Sequence, residues 1–347
     1  MKKYRGFDTS SIGIVIIIIA TLLLSLLMFI YNKDKNAIPV EPAPKLENLT
    51  QEEKEQLKQY KTYDFKYSYI ITAYGYVPKF IFKLAIPYTE ENKQYISNLD
   101  YSIKPIRQYK KDENLISEFL LTNLNEGDSK TITLSGRAKV RTYNLITAKL
   151  LKLKQPQIKN KEEFLQKYLK EEKNIEVNSK LVQKIASQIT GETKEELVEN
   201  IYDYVFNTVE YTQWVGRPSA ELTLKSKRGK CLDLSLAMVA LCRAKNIPAR
   251  IISGNIAREK DQNHTWVQVY FDEYGWVDYD PTIQIAYKNH YHNGMLKKRT
   301  MVKKRPRLNY IWSFVNSFTP WIINYDVEDA DIDKINITST TQIKEVI

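Results

Sequence analysis

Cysteine and histidine are scarce in this 347-residue chain: Cys231 and Cys242 are the only cysteines, and His264, His290 and His292 the only histidines. Two cysteines exclude a disulfide framework. They also exclude a bridge between themselves, because both fall in "RGKCLDLSLAMVALCRAKNIPAR", Arg228 to Arg250, whose apolar spacing is that of one helix. Eleven residues apart, at about 1.5 Å rise each, they sit roughly 16 Å from one another, and a disulfide needs Cα atoms within about 7 Å. Both are expected to be free thiols. His290 and His292 flank Tyr291 with no cysteine or carboxylate cluster around them, so no metal ligand set is read here. The acidic "DVEDADID" lacks the ligand spacing of a calcium loop. There is no internal repeat, and no metal or organic cofactor is implied.

What the chain does have is positive charge, a sizeable apolar fraction and one long hydrophobic run. The formal net charge is +11, from 52 Lys and Arg against 41 Asp and Glu. Such an excess suits an anionic surface, polymer or membrane and says little about fold. With 43% hydrophobic residues the chain can bury a real core, and its length exceeds what one ordinary domain needs. Ile12 to Tyr31, "IGIVIIIIATLLLSLLMFIY", carries no charge. About twenty such residues cross a hydrocarbon core of about 30 Å. Lys2, Lys3 and Arg5 precede the run, while Lys33, Asp34 and Lys35 follow it and nearly cancel. The bias predicts a single-pass anchor over 12–31, a cytoplasmic N-terminus over 1–11, and everything after residue 32 outside the cytoplasm. A cleaved signal peptide would have a shorter apolar region and a small-residue cleavage site.

Residues 32–60 are polar, contain Pro39, Pro42 and Pro44, and read as a stalk ending in a short helix at "LTQEEKEQLKQY". Residues 61–152 read as a small antiparallel β domain, a spacer or docking module. In "KFIFKLAIP", Phe80, Phe82, Leu84 and Ile86 share a face at period two, and Ile132 and Leu134 do so in "SKTITLSGRAKV". Residues 153–288 turn helical and then extended. "EEFLQKYLKEE" aligns Phe164, Leu165, Tyr168 and Leu169. Thr193 and Glu196 fit a capping box for "KEELVENIYDYVFNTV", with Leu197, Ile201 and Val205 on its buried face. The cysteine helix and the strands "ARIISGNI", "HTWVQVYF" and "GWVDYDPT" follow, so the class is α+β. Residues 289–347 read as a basic and aromatic extension. "LKKRTMVKKRPR" is expected to be a solvated loop, and "YIWSFVNSFTPWII" an element packed on the core. No aromatic stacking motif accompanies the basic residues, and an extracytoplasmic address argues against nucleic acid. Anionic wall polymer, lipid headgroups or plain solvent suit this patch better.

The chemistry is read from Cys231. It stands at the start of its helix, after Gly229, which permits close backbone approach, and Lys230, which adds a positive charge. A helix N-terminus favours thiolate over thiol through its macrodipole and unpaired N–H groups. The same N–H groups can donate to a tetrahedral oxyanion. Cys242, late in the helix among apolar residues, reads as a buried inert thiol. A base is needed, and His264 opens the strand "HTWVQVYF". An acid on the returning "GWVDYDPT" would orient it, and both Asp278 and Asp280 are available. His264 and Asp280 share a face only if the connecting loop has an odd number of residues. A three-residue loop at Glu273–Gly275 offsets them by four residues, about 13 Å along the strand. A five-residue loop centred on Asp272 sets them opposite. A wide turn or a bulge is therefore expected.

"GKCLDLSLAMVALCRAKNIPAR", "NHTWVQVYF" and "GWVDYDPT" resemble the three core motifs of the transglutaminase-like superfamily, and "IYDYVFNTVEYTQW" resembles the helix and aromatic segment that precede its cysteine. The resemblance covers about residues 160–285. It implies a papain-like α+β fold with Cys231 as nucleophile, His264 as base and Asp280 as the orienting acid. The sequence departs from the family pattern at Thr265 and Gln268, where Ala and Glu are frequent, and neither position is expected to carry chemistry. Tyr211, Gln213 and Trp214 are the candidate side-chain oxyanion donors beside the backbone N–H of Cys231. The implied reaction is acyl transfer through a thioester on a protein or peptide substrate, with cell-envelope components among the expected partners. Water as acceptor makes a hydrolase, the preferred reading. A lysine amine makes a crosslinking enzyme, and a dead site makes a binding module.

Overall fold

The computed structural model describes residues 45–153, 158–212, 216–257, 263–282, 284–292, 295–304, 310–315, 325–328 and 332–346, with backbone alone between 284 and 332. Helix α1 (Gln51–Lys58) is the short helix expected at the end of the stalk. It is capped reciprocally, the Thr50 hydroxyl accepting from the Glu53 N–H and Glu53 accepting from the Thr50 N–H. The chain then runs through β1 (Lys61–Ala73), β2 (Val77–Ile86), β3 (Gln94–Tyr101), β4 (Arg107–Lys111), β5 (Asn114–Leu124) and β6 (Ser129–Val140). The period-two residues of β2 and β6 face inward: Phe80, Phe82, Leu84, Ile86, Ile132 and Leu134 are all fully buried. Each is worth about 1.5–3 kcal/mol of burial.

The second region begins with α2 (Leu145–Leu151), α3 (Lys161–Gln166), α4 (Lys180–Gln188) and α5 (Lys194–Thr208). The Thr193 hydroxyl caps α5 by accepting from the Glu196 N–H, while the Glu196 carboxylate takes the N–H of Glu192 instead of Thr193. The buried stripe of α5 is Val198, Ile201, Tyr202, Val205 and Phe206, with Leu197 half-buried at its border. A two-residue strand β7 (Glu210–Tyr211), α6 (Ala220–Ser226) and a second short strand β8 (Arg228–Gly229) lead into α7 (Cys231–Ala244). After α7 come β9 (Ala249–Ile256), β10 (Asn263–Phe271) and β11 (Gly275–Tyr279), the three strands expected there. The strands β12 (Gln284–His292) and β13 (Met295–Lys304) form a two-stranded sheet within a compact unit of their own. β14 (Tyr310–Val315) returns to pair with β9, completing an antiparallel sheet in the order β11-β10-β9-β14. α7 packs on one face of this sheet, in a core that includes Leu236, Val239, Ile251, Val267, Val269 and Val277. The other face carries Ile252, Trp266, Tyr270 and Trp276, covered by Tyr168, Phe164 and Leu165 and by Tyr88 from the first region.

The last strands, β15 (Tyr325–Glu328) and β16 (Ile335–Val346), join the first region. β16 pairs with β1 from Thr62↔Val346 to Ala73↔Ile335, and β15 pairs with β2. The two resulting sheets, β16-β1-β6-β3 and β15-β2-β5-β4, enclose one core as a β-sandwich. The segment expected to be an extension thus supplies an edge strand to each of three sheets. Residues 296–304 of the basic stretch expected to be a loop lie within β13, and 305–307 lie outside the described residues. The reason it escaped notice is physical: an edge strand buries one face only in part, and in β16 only Ile343 is fully inside. Among the described residues no helix is long and apolar enough to cross a membrane. The anchor expected at 12–31 lies outside the described residues.

Candidate active site

The start of α7 is built by close approach. A Cβ on Gly229 would fall 2.5 Å from the Cβ of Asp233, a distance side chains do not tolerate, so only glycine lets the chain turn into the helix there. Asp233 in turn accepts the Lys230 N–H at 2.9 Å, satisfying one of the orphan donors of the helix start. Gly229 also pairs in parallel with Tyr211, and the Thr212 N–H donates to the Gly229 carbonyl at 3.0 Å. This short ladder carries Tyr211 to the edge of the thiol. One turn into α7, the Ser235 hydroxyl donates to the Thr265 carbonyl at 3.3 Å, and the Thr265 N–H donates to the Cys231 sulfur. The helix start is therefore fastened to the beginning of β10, where His264 resides.

His264 and Asp280 form a buried pair, with His264 Nε2 and Asp280 Oδ2 2.8 Å apart. With Nε2 engaged, the hydrogen bond between His264 and Cys231 falls to the other ring nitrogen, Nδ1. The second carboxylate oxygen of Asp280 accepts the Thr282 N–H at 2.9 Å, and the Asp280 carbonyl accepts from the Tyr202 hydroxyl at 2.9 Å. Asp280 is thus held from two sides, by the turn after Pro281 and by α5.

The hairpin that sets this pairing differs from the expected one. Phe271 pairs with Gly275, leaving a three-residue turn, Asp272 to Tyr274, and Gly275 takes a φ of +69°. The loop length is odd, as the shared face requires, but the turn is neither five residues wide nor one residue later. Continued to its end, this register would set His264 opposite Thr282, so Asp280 is the diagonal neighbour, about 7 Å along the strand. Diagonal partners on one face lie within reach of long side chains. The ladder ends at Val267↔Tyr279, which frees Asp280 to lean toward the imidazole.

Electrostatics follow from this burial. Desolvation opposes a charge on His264, but the field and hydrogen bond of Asp280, joined by those of Cys231, outweigh it and raise the imidazole to about 10. Desolvation likewise pushes the Cys231 thiol up, and the hydrogen bond and charge of His264 together with the Thr265 N–H overcome it, leaving the thiol below its ordinary value. Thiolate and imidazolium stabilise one another. Cys242 is fully buried, and burial pushes its thiol up to about 12. Tyr211 is raised by burial and then by the nearby Cys231 and Asp280, so its hydroxyl keeps its proton and can donate.

Of the residues singled out from the sequence, the structure brings together Cys231, His264 and Asp280, with Tyr211 beside them. Asp278, the alternative acid, accepts from Trp266 Nε1 at 3.3 Å and Gln268 Nε2 at 2.7 Å, and it is Asp280 that meets the imidazole. Gln213 and Trp214 lie outside the described residues. Sequence reasoning missed Thr265, whose contribution is a backbone N–H indifferent to side chain, and Tyr202, legible only as part of the α5 stripe. Among the described residues no group of three or more His, Cys, Asp and Glu side chains is placed to hold a metal ion.

A family model described as the transglutaminase-like superfamily matches residues 179–281. An uncharacterized protein of Bacillus subtilis (strain 168), YebA, is 35% identical over 77 residues, which span 18% of this chain and only 10% of that protein. Among solved structures, one of a Cytophaga hutchinsonii protein inferred to be a cysteine protease superposes with a TM-score of 0.58 at 15% identity, covering 83% of this chain and 92% of that one. The periplasmic domain of TgpA from Pseudomonas aeruginosa matches at a TM-score of 0.32 and 15% identity, covering 67% of this chain and 94% of that one.

Proposed function

We propose that this protein is a thiol enzyme that hydrolyses peptide or carboxamide bonds at Cys231, a reading supported by the match of residues 179–281 to the transglutaminase-like superfamily. The observation that carries the reading is the buried 2.8 Å contact between His264 and Asp280, with the imidazole also hydrogen-bonded to Cys231. The Cys231 thiolate attacks the carbonyl carbon, and the oxyanion is held by the Cys231 N–H and the Tyr211 hydroxyl. As the C–N bond breaks, the imidazolium of His264 gives its proton to the leaving amine. His264 then takes a proton from water, hydroxide adds to the thioester, and collapse expels the thiolate and releases the acid, which restores the thiolate–imidazolium pair. Asp280 holds the imidazole in one tautomer throughout. The protease designation of the Cytophaga hutchinsonii protein, which has the same fold, is in keeping with hydrolysis. The apolar run at Ile12–Tyr31 supports an anchored, extracytoplasmic enzyme acting on envelope proteins or peptides.

The test is alkylation of Cys231 from pH 4 to 10, followed by turnover of carboxamide and peptide substrates with and without a primary amine. Fast alkylation well below pH 8.5, the ordinary thiol value of about 8.5, slowed by His264→Ala, is the expected result. An ordinary thiol indifferent to residue 264 would overturn the reading. Amine incorporation in place of hydrolysis would make the enzyme a transferase. Retention of the chain in membranes after alkaline extraction tests the anchor.

A further inference from the structure

The face of the β11-β10-β9-β14 sheet that turns away from α7 carries a continuous polar relay ending on the sandwich. Glu113 occupies the β4–β5 turn, where it and Asp112 take φ values of +67° and +47°. One carboxylate oxygen meets Arg250 Nη1 at 2.5 Å. The other accepts from the Tyr168 hydroxyl and lies 3.2 Å from Lys167 Nζ. The Arg250 side chain is 2% exposed and lies 4.1 Å from the centre of the Trp276 ring. Its Nε donates to Gln268 Oε1 at 2.9 Å, and Gln268 Nε2 donates to Asp278 Oδ1 at 2.7 Å. That same oxygen accepts from Trp266 Nε1 at 3.3 Å, and the Trp266 ring lies nearly parallel to the His264 ring, centroids 6.3 Å apart and planes 15° apart.

The relay has a direction. Arginine cannot accept and a carboxylate cannot donate, so Gln268 satisfies both neighbours in only one of its two amide orientations. His264, Trp266 and Gln268 alternate along one face of β10, so what fixes Gln268 and Trp266 fixes the floor under the imidazole. The charged groups facing Asp278 are Lys93 from the β2–β3 turn and Arg250 from β9, with Glu90 near Lys93. At the other end of β10, Asn255 Nδ2 donates to Asn263 Oδ1 at 3.0 Å and to Thr341 of β16 at 3.5 Å. The sandwich therefore grips the sheet at both ends of the strand that bears His264.

We propose that Glu113, on the sandwich, is a positioning residue for His264, acting through Arg250, Gln268, Asp278 and Trp266. The sandwich is then a working part of the site and not a spacer. Removing the Glu113 charge leaves Arg250 buried without its carboxylate, releases the amide orientation of Gln268, and lets Trp266 and His264 drift from the thiol. This inference rests on the thiol-enzyme reading above.

The experiment uses the full chain in detergent micelles and measures the iodoacetamide rate at Cys231 against pH. Glu113→Gln is compared with wild type and with Glu118→Gln. Glu118 lies on the same sandwich sheet and holds Arg107 at 2.9 and 3.0 Å and Tyr109 at 2.8 Å. The expected result is a loss of about tenfold in rate at pH 6 for Glu113→Gln, with the rise of the profile moved to higher pH and no such movement for Glu118→Gln. An unchanged profile in folded Glu113→Gln overturns the proposal, as does an equal displacement in Glu118→Gln, which would mean general loosening. If Glu113→Gln does not fold, Asp278→Asn and Trp266→Phe carry the same two criteria, the second keeping a ring on His264 while losing the N–H. A wild-type Cys231 that behaves as an ordinary thiol would overturn the thiol-enzyme reading itself, a result distinct from any of these.

Discussion

The two ends of α7 carry the same side chain in opposite states. At the first residue, Cys231 is half-buried, touches His264 and the Thr265 N–H, and is held below its ordinary pKa. Near the last turn, Cys242 is fully buried among apolar neighbours and raised to about 12. Desolvation acts in the same direction on both. What separates them is that the helix start has partners for a negative charge, the His264 imidazole and the Thr265 N–H, while the far end packs against the core that includes Leu241 and Ile247. A thiol is lowered here through its neighbours and not through exposure, since Cys231 is itself half-buried.

That contrast breaks most completely at the pair behind Cys231. Cys231→Ser and Asp280→Asn are each expected to lower turnover by about 10³-fold or more, whereas Cys242→Ala leaves it within about twofold, measured on one peptide substrate. The pH dependence comes next. The folded-state pKa of His264 is raised from 6.5 to about 10. Its contribution to stability is therefore fully present below the unfolded value and lost as pH rises through about 10. Urea unfolding of wild type and Asp280→Asn at pH 6, 8 and 10.5 should show the difference between them shrinking at the highest pH, together with turnover, because the leaving group then lacks its proton donor. Gly229→Ala forces apart the contact with Asp233 and is expected to cost about 1–3 kcal/mol, visible as a lower urea midpoint and slower alkylation of Cys231. At the other end, Cys242→Ser buries a hydroxyl without a partner and costs about 1–3 kcal/mol, with the alkylation profile of Cys231 unmoved. The smallest effect is Thr193→Ala, which removes the α5 cap for about 1 kcal/mol and, through Tyr202, loosens Asp280 only slightly.

Much of the site was legible because its parts are local. Gly229 before the cysteine, the apolar run of α7, the period-two strands of the sandwich and each of the motifs that hold Cys231, His264 and Asp280 depend on residues near one another in the chain. The hairpin register was not legible. In "FDEYGW" the glycine can close the turn or begin the strand, and the two differ by two residues in register. The structure makes Gly275 the first paired residue, with Phe271 as its partner. That choice leaves Asp280 diagonal to His264 and reachable, where the alternative would have left a gap of four residues.

The C-terminal strands were hidden for a related reason. β16 pairs with β1 across more than 260 intervening residues, from Ile335↔Ala73 onward, and an edge strand of threonine, serine and isoleucine gives only a weak alternating signal. Asp278 and Asp280 sit two residues apart on the same face, so strand alternation does not separate the relay acid from the triad acid; only the motif resemblance singled out Asp280.

By itself the sequence determined the α+β class, the helix that starts at Cys231, and the three residues that meet there, because periodicity, glycine placement and motif order are properties of short stretches. Only the tertiary structure decided the hairpin register that makes Asp280 the diagonal neighbour of His264, the Thr265 N–H that meets the thiol, and that the sandwich closes with strands from the end of the chain and grips β10. Those outcomes depend on pairing between residues apart in sequence, and no local pattern encodes it.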